Sequence, residues 1–221
     1  MGINPLLEKT RDLLRNADFS WAVCGGFALE LFLDRQTRVH DDIDICVFEE
    51  DRERIVRYML RENWDVYEFR GQGKVRPIAD PAASESGRNL MLLREECELV
   101  KFYPCDNGDL YHQFFHTGVR DLNYLDFLFN TVTDKWFLTN GEWNIEREVS
   151  GAILHREGIP YLAPEIVLLY KSARWADEKN RLDYAQAYSR LSQEQKAWLH
   201  NSLRVCYPQG HPWLGPCSGN R

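Results

Sequence analysis

Val23-Cys24-Gly25-Gly26-Phe27 and, one helix-length further on, His40-Asp41-Asp42-Ile43-Asp44-Ile45 decide how this chain is read. Trp21 to Cys24 is a short apolar run that stops at two glycines, which predicts a strand and a tight turn. Phe27 to Leu33 is apolar at most positions and too long to belong to that strand, so a buried helix follows. Two glycines at a strand-to-helix junction let backbone N–H groups approach an anion, and a helix N-terminus favours one. A plain tight turn is the other reading of the glycines alone. Ile43, Ile45 and Val47 alternate with Asp42, Asp44 and Cys46, the pattern of a half-buried strand. On such a strand Asp42 and Asp44 project from one face, while Asp41 points the other way. Two carboxylates so close repel unless a cation neutralises them. Hard oxygen donors at this spacing suit Mg2+, with water and substrate phosphates filling its remaining positions. A solvated strand edge is the other reading of the two aspartates.

Outward from this core, Pro5 to Arg15 reads as an amphipathic helix and Glu50 to Glu62 as another, with Ile55, Val56, Met59 and Leu60 on one face. Trp64 to Phe69 alternates as a strand does. Arg70 to Arg88 is rich in Gly, Pro, Ser and Ala and reads as a loop. Leu99 to Tyr103, Leu110 to Phe115 and Leu122 to Phe129 read as strands, and Lys135 to Ile145 as a hairpin around Asn140-Gly141. From Gly158 the period becomes helical, with Pro164 at a first helical position and Ser192-Gln193-Glu194-Gln195 as a capping box. The tail from Pro208 is irregular. The plan is a mixed α/β part over residues 1–150 followed by a helical region over 151–221.

The 221 residues carry 34 acidic and 27 basic side chains, a formal charge of -7. That balance argues against a protein that grips long nucleic acid through a broad basic face. No apolar run approaches the roughly 20 residues that span a bilayer. Charges interrupt the first 16 residues, which excludes a signal-peptide core and points to a cytoplasmic protein. The six cysteines form no CxxC pair; they read as reduced thiols, Cys24 and Cys46 as buried filler.

Strand, Gly-Gly, helix and Asp-hydrophobic-Asp together resemble the signature of the polymerase-β-like nucleotidyltransferase superfamily, with 16 residues from Gly26 to Asp42. Arg35 to Asp44 is similar to the GRxTRxHxDID segment of small antibiotic nucleotidyltransferases, the aminoglycoside and lincosamide adenylyltransferases and their relatives. Asp34 stands where those relatives often carry Gly. Gly158 to Lys171 resembles their GIPYLAPEIxLLYKA segment, Lys179 to Tyr184 their KDxxDF motif with Asn180 and Tyr184 as departures, and His211 to Leu214 their GHPWL ending. The likeness is weakest from Arg70 to Leu122, where acceptor contacts are expected.

The resemblance implies a nucleotidyltransferase fold, α/β (α+β) with a mixed sheet and a helical C-terminal part. It implies transfer of a nucleoside monophosphate, AMP from ATP, to a hydroxyl of a small molecule such as an aminoglycoside or lincosamide, using two Mg2+. Asp42 and Asp44 would hold metal. Asp126, a lone acid in apolar Tyr124 to Phe129, would be the third carboxylate, accepting the hydroxyl proton or helping to hold metal. An Arg partner would equally explain a buried acid there; Asp121 and Glu98 are the fallback carboxylates. Gly25, Gly26, Arg38 and Lys171 would contact the nucleotide, with His40 and Asp183 in support. Rival readings are a toxin-type nucleotidyltransferase acting on tRNA or protein, and a nucleotide-binding relative without activity. His112 and His116, four apart, invite zinc, but no HExxH accompanies them. Tyr103, Phe115 and Trp136 are candidates to stack on an acceptor ring. The oligomeric state stays open.

Overall fold

The computed structural model describes residues 3–115, 121–139 and 145–215. The chain opens with helix α1 (Pro5–Leu14), strand β1 (Trp21–Val23), helix α2 (Gly25–Leu33), strand β2 (Asp44–Phe48) and helix α3 (Arg52–Arg61). Strands β3 (Asp65–Gly71), β4 (Lys74–Pro77), β5 (Leu90–Leu93), β6 (Val100–Pro104), β7 (Leu110–Phe114) and β8 (Tyr124–Val132) follow. After β9 (Trp136–Leu138) and β10 (Glu146–Glu148) come a one-turn α4 (Val149–Ala152), β11 (Ile153–Arg156) and β12 (Ile159–Leu162). The chain ends in helices α5 (Pro164–Ser172), α6 (Glu178–Tyr188) and α7 (Gln193–Cys206).

One mixed sheet runs in the order β11-β12-β1-β2-β8-β5-β3-β4-β7-β6, with β9 continuing from β8 and pairing β10. β1 lies parallel to β12 and β2 parallel to β8; the other pairs are antiparallel. Three of the helices, α1, α5 and α7, begin at a start signal in the sequence. The Asn4 side chain accepts from the Leu6 N–H at 2.9 Å, Pro5 and Pro164 occupy first helical positions, and Ser192 and Gln195 cap each other reciprocally. α2 is buried on nearly every side, including Phe27, Leu29 and Leu31. No described helix is long and apolar enough to cross a membrane.

Several elements differ from their sequence reading. Ile45, Cys46, Val47 and Phe48 are all buried, because β2 is an interior strand covered on both faces rather than half exposed. Asp42 and Ile43 precede β2 instead of lying in it. The stretch read as a loop from Arg70 contains β4, which pairs β3 through the two-residue turn Gln72-Gly73. Both turn residues have positive φ, 54° and 73°, the geometry that closes a tight hairpin. Leu90 to Leu93, too short to stand out, is a buried strand between β8 and β3. Ile159 to Leu162 is β12 rather than the start of the helical part. The turn at Asn140-Gly141 lies outside the described residues, but its flanks pair antiparallel as β9 and β10. Cys24, Cys46, Cys97, Cys105 and Cys206 are free thiols; Cys217 lies outside the described residues.

Candidate active site

The parallel pairing of β2 and β8 puts Asp44 directly opposite Asp126. Opposed residues share a sheet face, and Asp42, in the segment entering β2, turns toward the same point. One carboxylate oxygen from each of the three lies within 4.8 Å of the others. Burial, followed by the Asp42 charge, raises Asp44 to about 7 against the pull of Lys171, Lys179 and Arg38. Burial and then Asp44 raise Asp126 well above the carboxylate range. Asp126 is buried, with the Tyr124 hydroxyl beside its carboxylate. Three converging hard-oxygen donors, destabilised as anions, are what a divalent cation would relieve.

The glycine turn abuts this cluster. The Cys24 N–H donates to the Asp44 carbonyl at 2.8 Å, which ties the end of β1 to the start of β2. Gly25 has φ +62°, and a β-carbon on it would collide with the Asp44 carboxylate. A β-carbon on Gly26 would strike the His40 ring and come within 2.7 Å of the Arg38 guanidinium. Gly25 lines the cavity described below; Gly26 is held small by the His40 and Arg38 side chains.

The loop from Asp34 to Ile43 is organised by Glu30, a buried acid in the otherwise apolar α2. Its Oε1 accepts from the Thr37 N–H at 2.7 Å, Thr37 Oγ1 at 3.2 Å and the Arg38 N–H at 3.4 Å, and His40 Nε2 lies 2.9 Å away. Burial would raise Glu30, but the His40 and Thr37 contacts outweigh it and hold the acid below its usual value. Asp34 ends α2 with φ 57° and pairs with Arg156 at 2.6 Å, so an aspartate fills the left-handed position that glycine otherwise takes.

Asp183 on α6 is 2% exposed and joins two cations. Arg38 approaches it with Nε and Nη2, both at 3.3 Å, and Lys171 Nζ lies 2.9 Å from its Oδ2. Burial raises Asp183, but Lys171 first and then Arg38 bring it below its usual value. Asn180 Oδ1 accepts from Lys171 Nζ at 3.3 Å, so the departure from the KDxxDF pattern still serves the lysine. A cavity of about 650 Å³ opens between the sheet and these helices. Gly25, Asp44, Asn89, Lys171, Arg174 and Lys179 are among its lining residues. Its wall is braced by Tyr170 Oη donating to Asn130 Oδ1 at 2.5 Å.

The fallback carboxylates stand elsewhere: Asp121 pairs with Lys9 on the surface, and Glu98 is exposed. His112 is on strand β7 against Phe69 and Phe114, not on a helix, and His116 lies outside the described residues. The C-terminal His211 braces α5, with Nε2 3.2 Å from the Ser172 carbonyl oxygen, while Trp213 stacks on Tyr184 at 4.2 Å. Glu30, Lys179 and Asn180 are contributors that the sequence reading did not single out as site residues. A lone acid within an apolar helix was the available signal for Glu30.

Residues 6–77 match the model of the aminoglycoside-2''-adenylyltransferase family. The chain is similar to the lincosamide antibiotic adenylyltransferase LnuA solved with lincomycin bound: 15% identity over 86% of this chain and 99% of that one, TM-score 0.52. It is also similar to ANT(2'')-Ia in complex with adenylyl-2''-tobramycin: 16% identity, 91% and 97% coverage, TM-score 0.53. The solution structure of the antibiotic-resistance factor ANT(2'')-Ia gives 16% identity, 92% coverage of both chains and TM-score 0.52. No curated protein matches the chain. The fold is that of the antibiotic nucleotidyltransferases, as the resemblance implied.

Proposed function

We propose that this chain, folded as the antibiotic nucleotidyltransferases are, transfers a nucleoside monophosphate, AMP from ATP, to a hydroxyl of a small antibiotic-like acceptor. The observation that carries the reading is the convergence of Asp42, Asp44 and Asp126 beside the Gly25 turn and a cation-lined cavity. Asp42 and Asp44, with Asp126, would hold Mg2+. Bound there, the metal would supply charge neutralisation to the attacking and leaving oxygens.

The triphosphate occupies the cavity along Gly25, Lys171 and Lys179. Arg38 acts through Asp183, which orients Lys171. The acceptor hydroxyl gives its proton to Asp126 and its oxygen attacks the α-phosphorus. The bond from that phosphorus to the β-phosphate bridge breaks, and pyrophosphate leaves. Asp126 is placed for the proton by its position opposite Asp44, and the bound cation would keep its carboxylate ionised to accept it.

The test is a mass-spectrometric screen of the protein with Mg2+ and each NTP against lincosamides, aminoglycosides and cell metabolites. The expected product is one nucleoside monophosphate heavier, with an equal amount of pyrophosphate. Asp126→Asn is expected to keep ATP binding and to lower kcat about a hundredfold or more. Absence of nucleotide binding in the parent protein would overturn the reading.

A further inference from the structure

Ser84 to Arg88 lies outside any helix or strand, yet each of its residues is hydrogen-bonded to one of three side chains. Arg52, at the start of α3 and 6% exposed, donates to Ser84 Oγ at 3.0 Å and to the Arg88 carbonyl at 2.6 Å. Glu49 accepts from Ser86 Oγ at 3.2 Å and from the Gly87 N–H at 3.0 Å. Glu68, buried on β3, accepts from the Glu85 N–H at 2.6 Å. Arg52 also donates twice to Glu49, both at 2.9 Å, and its guanidinium lies 3.6 Å from the centre of the Phe129 ring. A nearly buried guanidinium is costly unless its donors are used, and four N–H···O contacts use them here.

This anchoring leads straight into Asn89. β8 runs on past the end of β5, where Leu90 stands opposite Phe127. Beyond that point the Asn89 side chain replaces the strand: its Oδ1 accepts from the Phe129 N–H at 2.9 Å, while its carbonyl accepts from the Phe69 N–H at 3.0 Å. Only the oxygen of a carboxamide can accept from a backbone N–H, so the NH2 group is fixed on the other side. That NH2 makes no hydrogen bond among the described residues, and Asn89 lines the cavity of about 650 Å³. The neighbouring carboxamide, Asn130, is already engaged. Its Nδ2 donates to the Leu128 carbonyl at 3.1 Å and lies 3.2 Å from Cys46 Sγ, and its Oδ1 accepts from Tyr170.

We infer that the Asn89 NH2 group hydrogen-bonds the nucleoside part of the bound nucleotide, and that Arg52 and Glu49 are the positioning residues that hold it there; this rests on the nucleotidyltransferase reading. Charge divides the cavity. Lys171, Arg174 and Lys179 line it from the α5–α6 side, with Asp177 paired to Arg174. Beyond Asp44, the sheet contributes Asn89, Leu128, Phe129 and Asn130, none of them charged. A polyphosphate is drawn to the cations, which leaves the neutral wall to the base and sugar. The spacing agrees. Phe129 is three residues beyond Asp126 on β8, about 10 Å along the strand, a distance that a nucleoside spans when its α-phosphorus sits at the carboxylates. Base and sugar both carry acceptor atoms, and a fixed NH2 is the complementary donor.

Calorimetry on the whole protein compares ATP–Mg2+ with tripolyphosphate–Mg2+, which carries the phosphates but no nucleoside. Asn89→Ala should weaken ATP about fivefold, by loss of one hydrogen bond, and leave tripolyphosphate affinity unchanged. Removing Arg52 alone strands the Glu49 carboxylate, so the positioning role is read in the paired variant Arg52→Met/Glu49→Gln, which leaves neither charge behind. The paired variant should show the same loss for ATP, with tripolyphosphate and Mn2+ affinities unchanged. Adding Asn89→Ala to it should cost no further affinity, because both changes remove the same contact. A purely structural role would lower the melting temperature without separating ATP from tripolyphosphate. Undiminished ATP binding in Asn89→Ala, or equal losses for the two ligands, would overturn the nucleoside contact. Losses that multiply in the combined variant would overturn the positioning by Arg52 and Glu49. A parent protein that binds no ATP would instead overturn the nucleotidyltransferase reading, and this inference with it.

Discussion

A β-carbon placed on Gly25 would collide with the Asp44 carboxylate, so the turn after β1 and the metal-ligand candidate on β2 are packed against each other. The Gly25 backbone is also in the left-handed region, at φ +62°. Gly25→Ala therefore meets two penalties: a backbone cost of about 1–2 kcal/mol and displacement of Asp44. The expected outcome is a lower melting temperature together with a Mn2+ affinity reduced tenfold or more. Gly26→Ala should behave differently, because its methyl would strike His40 and Arg38 rather than the carboxylates. It should lower stability while leaving Mn2+ affinity closer to the parent value, and equal Mn2+ losses in the two variants would contradict this division of roles.

Asp42→Asn removes one of three converging carboxylates. It should abolish transfer while leaving the melt without metal unchanged or slightly raised, since like-charge repulsion is relieved. Metal supplies the complementary reading. Saturating Mg2+ or Mn2+ should raise the parent's melting temperature by roughly 5 °C or more at a hundredfold excess over Kd. EDTA should reverse that shift, and Asp42→Asn should show little of it. A full metal-induced shift in the variant would show that the cation is held elsewhere.

Asp183 joins Lys171 to Arg38, which lies 145 residues before it in the sequence. Its folded-state acidity is strengthened: burial opposes ionisation, but Lys171 and Arg38 more than compensate. A depressed carboxylate contributes stability that is fully present above its unfolded value of 3.8 and is lost as pH falls through the lower folded one. Thermal melts should therefore show an acid limb below about pH 4 that is shallower in Asp183→Asn. At neutral pH the same variant should lose about 3 kcal/mol, because two cations are left near a neutral amide. Its KM for ATP should rise as Lys171 loses its orientation.

What could be read in the sequence was local. The glycine pair, the apolar α2 and the Asp42–Asp44 spacing sit within one short stretch, and Asp126 announced itself as a lone acid in an apolar run. What could not be read was non-local or encoded in backbone conformation. The parallel pairing of Val23 with Tyr161 joins residues far apart in the chain, and nothing in Ile159 to Leu162 distinguishes a short buried strand from the start of a helix. β4 was hidden because its hairpin turn depends on Gln72 accepting a positive φ. β2 looked half exposed because alternation in sequence does not reveal that Cys46 and Phe48 also meet a covered face.

Glu30 provides the sharpest separation between a residue that does chemistry and one that places it. It lies on α2, yet one of its oxygens gathers the Thr37 and Arg38 N–H groups and the Thr37 hydroxyl, with the His40 ring 2.9 Å away. The loop so held runs directly into Asp42. Glu30→Leu keeps the apolar character of α2 but leaves those donors without their shared acceptor, in a site too buried for water to replace it fully. Asp42 would then enter β2 from an unfixed loop while Asp44 and Asp126 kept their strand register. Mn2+ affinity should fall about tenfold with all three carboxylates still in the chain, and transfer should fall further than ATP binding. Glu30→Gln keeps an oxygen for the Thr37 N–H and should recover most of the metal affinity, losing chiefly the part that depends on charge beside His40. If Glu30→Leu bound Mn2+ as the parent does, the loop would be held in place by Arg38 and Asp183 alone.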